Sequence, residues 1–399
     1  MSGCRNRSEA VSVSQPKVPV LDLKPQYQAI RTEIQAAVNR VLESGQFILG
    51  AEVQQFEAAA AAYLGVKHAI GVNSGTDALM ISLRASNVGP GDEVITTPFS
   101  FFATAESISN IGATPVFVDI DATSFNLDPN LIRDQITDKT KAIMPVHLYG
   151  NPAALAQILA IAAEHNLAVI EDCAQASGAT YKGDCTECEG TCQDTIRDRL
   201  LGKRVGSIGD VGAFSFFPTK NLGAYGDGGL ITTNSDEIAE MARKLRVHGE
   251  QKRYHNEMLG YNSRLDAIQA AILGVKLPYL DQWNQQRRQV AETYSQLLVD
   301  VHDVLTPTIT AGHVFHQYTL RIRNGKRDTV KSFLAEQGIG SMVYYPIPQY
   351  RLPVYEGQFP TCSVCEKVAE EVLSLPIWPE LEASTQEHIA KMLVKAVSQ

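Results

Sequence analysis

Apolar positions in the first third of the chain recur at helical spacing. Ile30, Ile34, Val38, Val41 and Leu42 fall on one face, while Arg31, Glu33, Arg40 and Glu43 fall on others. Ser44-Gly45 ends that predicted helix, and a second covers residues 53–63 up to Gly65. Short apolar runs then alternate with helical stretches. Residues 69–72, 93–96, 115–118, 142–145 and 168–170 read as strands, with helices over 76–85, 103–110 and 153–165. This alternation predicts an α/β fold with a largely parallel, doubly wound sheet.

Further along, 229–232 reads as a strand and 236–245 as a helix. A long amphipathic helix runs over 265–294, bent at Pro278. Beyond Val304 the pattern shortens, with strands expected over 317–322 and 341–345, as in a small α+β unit. The expected organisation is a disordered tail over 1–17, a large unit over 18–278 with an extended arm at its start, and a small C-terminal unit over 279–399.

Composition narrows the function classes. At 399 residues, 44% hydrophobic and 20% charged, the chain has the profile of a soluble globular protein. Its net charge of −9 argues against a broad nucleic-acid surface, so an anionic ligand must be held by local donors. No apolar run approaches the roughly 18 residues of a membrane span. No apolar secretory segment stands at the start, and the expected location is the cytoplasm, with the seven cysteines reduced.

Candidate chemistry centres on residues 212–229. An apolar run, Gly212-Ala213-Phe214-Ser215-Phe216-Phe217, is followed by Pro218-Thr219-Lys220 and then by a glycine-rich stretch. Ligands gather at the carboxyl ends of strands in open α/β sheets. A desolvated lysine there has a lowered pKa and is suited to Schiff-base chemistry, although most lysines are solvated. In 73–79 a strand gives way to a helix, making either an anion site with Thr76 or an ordinary cap. Asp172 ends another apolar run, where it is either a helix cap or the partner of a cationic ring nitrogen. Phe99, Phe101 and Phe102 follow a further strand end, and Asn262 begins the long helix as a cap or a ligand donor.

These residues match a known pattern. "NSGTDAL", "EDCAQASGATYKG", "VGSIGDVGAFSFFPTKNLGAYGDGG" and "GYNSRLDAIQAAIL", in this order, resemble the DegT/StrS family of pyridoxal-phosphate sugar aminotransferases, from about residue 18 to 381. The resemblance implies the aspartate aminotransferase-like fold (PLP fold type I) and a homodimer with shared active sites. It implies that Lys220 holds pyridoxal 5'-phosphate as a Schiff base, that Asp172 faces the pyridine nitrogen, and that Gln175 faces the 3-hydroxyl. Phe101 would stack on the ring. Gly75, Thr76 and Ser215 would hold the phosphate, joined by Asn262 of the partner subunit.

Transamination from glutamate to a nucleotide-linked keto-deoxysugar is the implied activity. Lys220 would shuttle the proton as general acid and base. Related dehydratases carry histidine where this chain has Lys220. Residues 260–288 look most like the branch aminating C-3 of dTDP-keto-6-deoxyhexoses, with a C-4 branch as the alternative. Lys252, Arg253 and His255 form a basic cluster for a diphosphate, or a solvated surface. A regulatory sugar-sensing protein of the same fold is the non-enzyme alternative.

The chain departs from the family where residues 184–202 intervene, carrying Cys185, Cys188 and Cys192, and near Thr361, which brings Cys362 and Cys365. Two C-x-x-C pairs suit tetrahedral zinc, with Cys185, Cys188, Cys362 and Cys365 as ligands and Cys192 as a substitute. Two loops with incidental cysteines are the plainer reading, and an iron–sulfur cluster is a further one.

Overall fold

A computed structural model describes residues 17–181 and 200–399. A seven-stranded sheet dominates it. The strands are β1 (His68–Val72), β2 (Glu93–Thr96), β3 (Thr114–Phe117), β4 (Thr140–Met144), β5 (Ala168–Asp172), β6 (Val211–Ser215) and β7 (Gly229–Thr233). Their order is β1-β7-β6-β5-β4-β2-β3. Strands β3, β2, β4, β5 and β6 pair in parallel, and β7 runs antiparallel to both β6 and β1. The expected parallel sheet therefore carries one reversed strand.

Alternate residues of the central strands feed different cores, as a two-faced sheet requires. Val94, Met144 and Ile170 join the cluster that contains Ile81 and Ala239. Their chain neighbours Ile95, Ile143 and Val169 join the cluster of Ile158 and Ile161 on the other face. Both faces are buried, so these strands read as continuous apolar runs.

The long helix predicted over 265–294 is two helices, Ala267–Lys276 and Leu280–Leu297, joined by a 3₁₀ turn at Leu277–Tyr279. Pro278 lies in that turn, where its missing N–H costs nothing. Past it a separate core forms around Val290, Tyr294, Phe315, Tyr318, Leu320, Leu373 and Leu393. Its sheet has three antiparallel strands, β10 (Val304–Leu305), β11 (Tyr318–Ile322) and β12 (Val372–Leu375), and a separate hairpin β8 (Glu250–Lys252) and β9 (His255–Asn256) precedes it.

The strand expected over 341–345 is not one. Only Met342 makes a bridge, to Ser374. The third place in the small sheet is taken by β12, which follows the helix Ser363–Glu371 with no breaker between them. The N-terminal arm lies along this smaller body. Val18 N–H donates to Gly338 O (3.0 Å), Gly340 N–H to Val18 O (2.8 Å) and Ile377 N–H to Val20 O (3.2 Å). No helix among the described residues is long and apolar enough to cross a membrane.

Candidate active site

The parallel strands all point their carboxyl ends toward one edge of the sheet. There β5 ends in Asp172, β6 runs on to Lys220, β1 leads to Gly75, and β2 leads to Phe101. Pairing of β5 with β6 sets Asp172 against Ala213, which fixes the aspartate beside the strand that carries the lysine.

Asp172 is buried. Its Oδ2 accepts from the Thr104 hydroxyl at 2.9 Å and its Oδ1 from Ala174 N–H at 3.1 Å. Burial raises its pKa above 3.8; the Ala174 and Thr104 hydrogen bonds, then the charge of Lys220, pull it back. Lys220 is half-buried by area, but protein surrounds its amine closely enough that desolvation lowers its pKa from 10.5 to about 8. The charge of Asp172 opposes that fall. The two groups sense one another without forming an ion pair among the described residues.

Gln175 is buried and held at both ends of its amide. Its Oε1 accepts from Tyr149 N–H (2.7 Å) and its Nε2 donates to the Tyr345 hydroxyl (3.0 Å). Tyr345 packs at 6.3 Å from the rings of both Phe99 and Phe101. Phe101 is 59% exposed and offers an open ring face at the rim. Gly75 opens the helix Gly75–Ala85, which Ser74 caps by accepting from Asp77 N–H at 3.1 Å. A Cβ on Gly75 would stand 2.6 Å from Cβ of Ser215, so only glycine lets this helix end approach the sheet so closely. Thr76 is half-buried beside it.

His316 is a neighbour of the lysine to which the sequence assigned no role. Its Nδ1 lies 3.0 Å from Asn221 Oδ1, while Asn221 Nδ2 donates to Asn284 Oδ1 (2.7 Å) and Val314 O (3.1 Å). That arrangement leaves Asn221 Oδ1 as acceptor and assigns the imidazole proton to Nδ1. Burial, then the charges of Lys220 and Arg287, hold His316 neutral. Tyr345, like His316, lies in a segment that resembles family segments near the active-site mouth, with no role assigned there; the signal of Thr104, a hydroxyl within a run of aromatic and small residues, is too common to single it out.

Other expected residues lie elsewhere in the chain. Asn262 is exposed, with its carbonyl 3.5 Å from Asn73 Nδ2. Lys252, Arg253 and His255 sit on the exposed β8–β9 hairpin, which packs on the helix Asp236–Leu245 and ends in Tyr254, 84% exposed. The zinc expectation gains no support. Cys362 and Cys365 are buried in an aromatic cluster with Phe117 and Tyr350, where desolvation pushes both thiols up, against the thiolate a metal needs. Neither belongs to a group of three metal-ligating side chains among the described residues. Cys185, Cys188 and Cys192 lie outside those residues.

The pocket fits pyridoxal 5'-phosphate. Asp172 is a buried carboxylate whose partners are neutral donors, which leaves it free for a cationic ring nitrogen. Lys220 has the lowered amine that carbonyl condensation needs. The glycine cradle at Gly75 opens a helix N-terminus suited to a phosphate. Fold and site together define a pyridoxal-phosphate aminotransferase fold.

Comparison with known proteins narrows this. Residues 28–394 match the DegT/DnrJ/EryC1/StrS aminotransferase family. A "pleiotropic regulatory protein" of Geobacillus stearothermophilus is 51% identical, over 95% of this chain and 98% of that one. A UDP-N-acetyl-3-dehydro-alpha-D-glucosamine 3-aminotransferase of Acidithiobacillus ferrooxidans is 46% identical, over 94% and 96% respectively. The crystal structure of S. venezuelae DesV in complex with a ketimine intermediate superposes with a TM-score of 0.88 at 40% identity, covering 96% of this chain and all of that one. The chain belongs to the DegT/DnrJ/EryC1/StrS aminotransferase family, and it is a transaminase.

Proposed function

We propose that this protein transfers an amino group from glutamate to a ketone on a nucleotide-linked sugar, at C-3 of a dTDP-keto-6-deoxyhexose. The observation that carries the reading is buried Asp172 at the end of β5, set beside the strand that leads to the half-buried Lys220. The relative from Acidithiobacillus is named for amination at a sugar C-3, which supports that ring position.

Pyridoxal 5'-phosphate, when bound, supplies the electron sink for removing a proton beside the transferred nitrogen. Lys220 Nζ, its pKa lowered to about 8, would take that proton and return it to the neighbouring carbon. Asp172, as a carboxylate, would hold a proton on the ring nitrogen. The Gln175 amide, clamped between Tyr149 and Tyr345, presents one N–H to the ring oxygen. Gly75, Thr76 and Ser215 would hold the phosphate, and Phe101 would cover the ring.

The reading includes a homodimer in the cytoplasm, and exposed groups around the Lys220 loop support the dimer. Phe217 and Tyr225, 51% and 38% exposed, flank the Lys220 loop, and Tyr225 continues into an apolar groove lined by Tyr27, Ile34 and Val38. A second copy covers this face and brings its own hairpin to the site. Lys252, Arg253 and His255 then meet the substrate diphosphate, and Asn262 of the partner subunit reaches the cofactor phosphate.

The test is a panel of dTDP-, UDP- and GDP-linked keto sugars, incubated with enzyme and glutamate, with products identified by mass and NMR. Amination at C-3 of the dTDP-keto-6-deoxyhexose is expected. A product aminated only at C-4, or turnover confined to UDP sugars, would replace the substrate assignment. A regulatory role draws on the name of the Geobacillus relative. Retention of Lys220, Asp172 and Gln175 together favours turnover.

A further inference from the structure

Three buried side chains form a directed line of hydroxyls ending on Asp172. Ser100, Thr104 and Asp172 are 5%, 1% and 4% exposed, so none of them is satisfied by bulk water. Thr104 Oγ1 lies 2.9 Å from Asp172 Oδ2, and Ser100 Oγ lies 2.8 Å from Thr104 Oγ1. An ionised carboxylate accepts only, so the single Thr104 proton is committed to Asp172. Thr104 Oγ1 is then the acceptor, and the proton between the two hydroxyls belongs to Ser100. Both hydroxyls point their donors toward the carboxylate.

The line has no other evident use. Thr104 stands in the first turn of the helix Ala103–Asn110, and its backbone N–H already bonds Phe101 O at 3.1 Å. A residue there serving packing alone needs no hydroxyl. The helix is thus tied at one turn both to the segment carrying Phe101 and to the aspartate.

We infer that Thr104, supported by Ser100, is a positioning residue that keeps Asp172 ionised and aimed at the ring nitrogen of the cofactor. This rests on the assignment of Asp172 as partner of that nitrogen. Desolvation favours the neutral acid, and an acid that keeps its proton cannot hold a cationic ring. Two donors oppose it, Ala174 N–H and the Thr104 hydroxyl. The first belongs to the backbone, which leaves Thr104 as the side chain through which the aspartate is tuned. The titratable groups facing Asp172 are Lys220 from the loop after β6, His147 from the segment after β4, Tyr345 from the smaller body, and Cys173 next in the chain.

The experiment titrates cofactor-free enzyme with pyridoxal 5'-phosphate from pH 5 to 9, following both binding and the Schiff-base absorption band. The variants are Thr104→Val, Thr104→Ser and Ser100→Ala. A hydrogen bond to a charged group is lost in Thr104→Val, so its dissociation constant should rise roughly 10- to 100-fold near neutral pH. The acid limb of binding should move up by about one pH unit. Thr104→Ser should restore both, and Ser100→Ala should shift both in the same direction by less. Unchanged affinity and an unchanged acid limb in Thr104→Val overturn the inference. So does equal damage in Thr104→Ser, which would show that shape matters and the hydroxyl does not. Wild type that forms no Schiff-base band at all refutes the assignment of the site itself, a result distinct from either.

Discussion

The Gln175 side-chain amide donates to the Tyr345 hydroxyl at 3.0 Å, and this bond joins the large sheet to the smaller body. The same amide is expected to meet the cofactor's ring oxygen. The amide NH2 carries two hydrogens, one on Tyr345 and one left for the ring oxygen, so a ligand on the second holds the same group that holds Tyr345.

Replacing Tyr345 by Phe should therefore destabilise the cofactor-free protein by about 1 kcal/mol, the net worth of a neutral hydrogen bond. The loaded enzyme should lose less, because Gln175 is then held by the ring. Chemical denaturation of both forms measures the difference, and equal losses would separate Tyr345 from the pocket.

Lys276 is a second buried amine, 1% exposed, with its ammonium 4.8 Å from the Tyr225 ring centroid and donating to Gly223 O. Desolvation lowers its pKa from 10.5 to about 8. Between those two values the unfolded chain holds a proton that the folded amine has released. Unfolding free energy therefore rises with pH across that window, by at most about 3 kcal/mol from this residue. Lys276→Met should flatten the rise measured by urea denaturation from pH 8 to 10.5, and identical slopes in the two proteins would contradict it.

Gly75→Ala forces a methyl group to within 2.6 Å of Ser215 Cβ. The helix end must retreat from β6, at a cost of about 1–3 kcal/mol. Phosphate-dependent affinity should fall further than stability does. Comparing pyridoxal with its phosphate as ligands isolates the effect, since pyridoxal alone should bind the variant nearly as well as the wild type.

Glu171 precedes Asp172 and points to the opposite side of β5. Its carboxylate accepts from Gly206, Ile208 and Gly209 N–H at 2.7–2.9 Å and lies 3.1 Å from His147 Nε2. His147 Nδ1 accepts from Ala153 N–H, which leaves the ring proton on Nε2 for Glu171. Glu171→Gln turns a donor toward other donors, and should cost about 2–4 kcal/mol of stability by denaturant titration. A change under 1 kcal/mol would mean that the loop holds itself.

The sheet was legible because its strands are buried on both faces, as in Ile95, Ile143 and Val169, and glycines and helices separate them cleanly. Strand β12 was not, since Val372 follows Glu371 without a turn residue and its strand character comes from pairing with β11. Lys220 and Asp172 stood out because charge at the end of an apolar run is costly. Thr104 and Tyr345 act through contacts with residues 68 and 170 positions away, which no local pattern encodes. The cysteine spacing suggested zinc, but spacing does not reveal that Cys362 and Cys365 face an aromatic core.

Lys220 and Lys276 both carry amines lowered to about 8, and only Lys220 lies within reach of Asp172's charge. The decisive measurement is borohydride reduction of the cofactor-loaded enzyme followed by peptide mass spectrometry. The account predicts a phosphopyridoxyl group on the peptide containing Lys220, and its disappearance when glutamate is added before reduction. A label on Lys276, or none on Lys220, would contradict it.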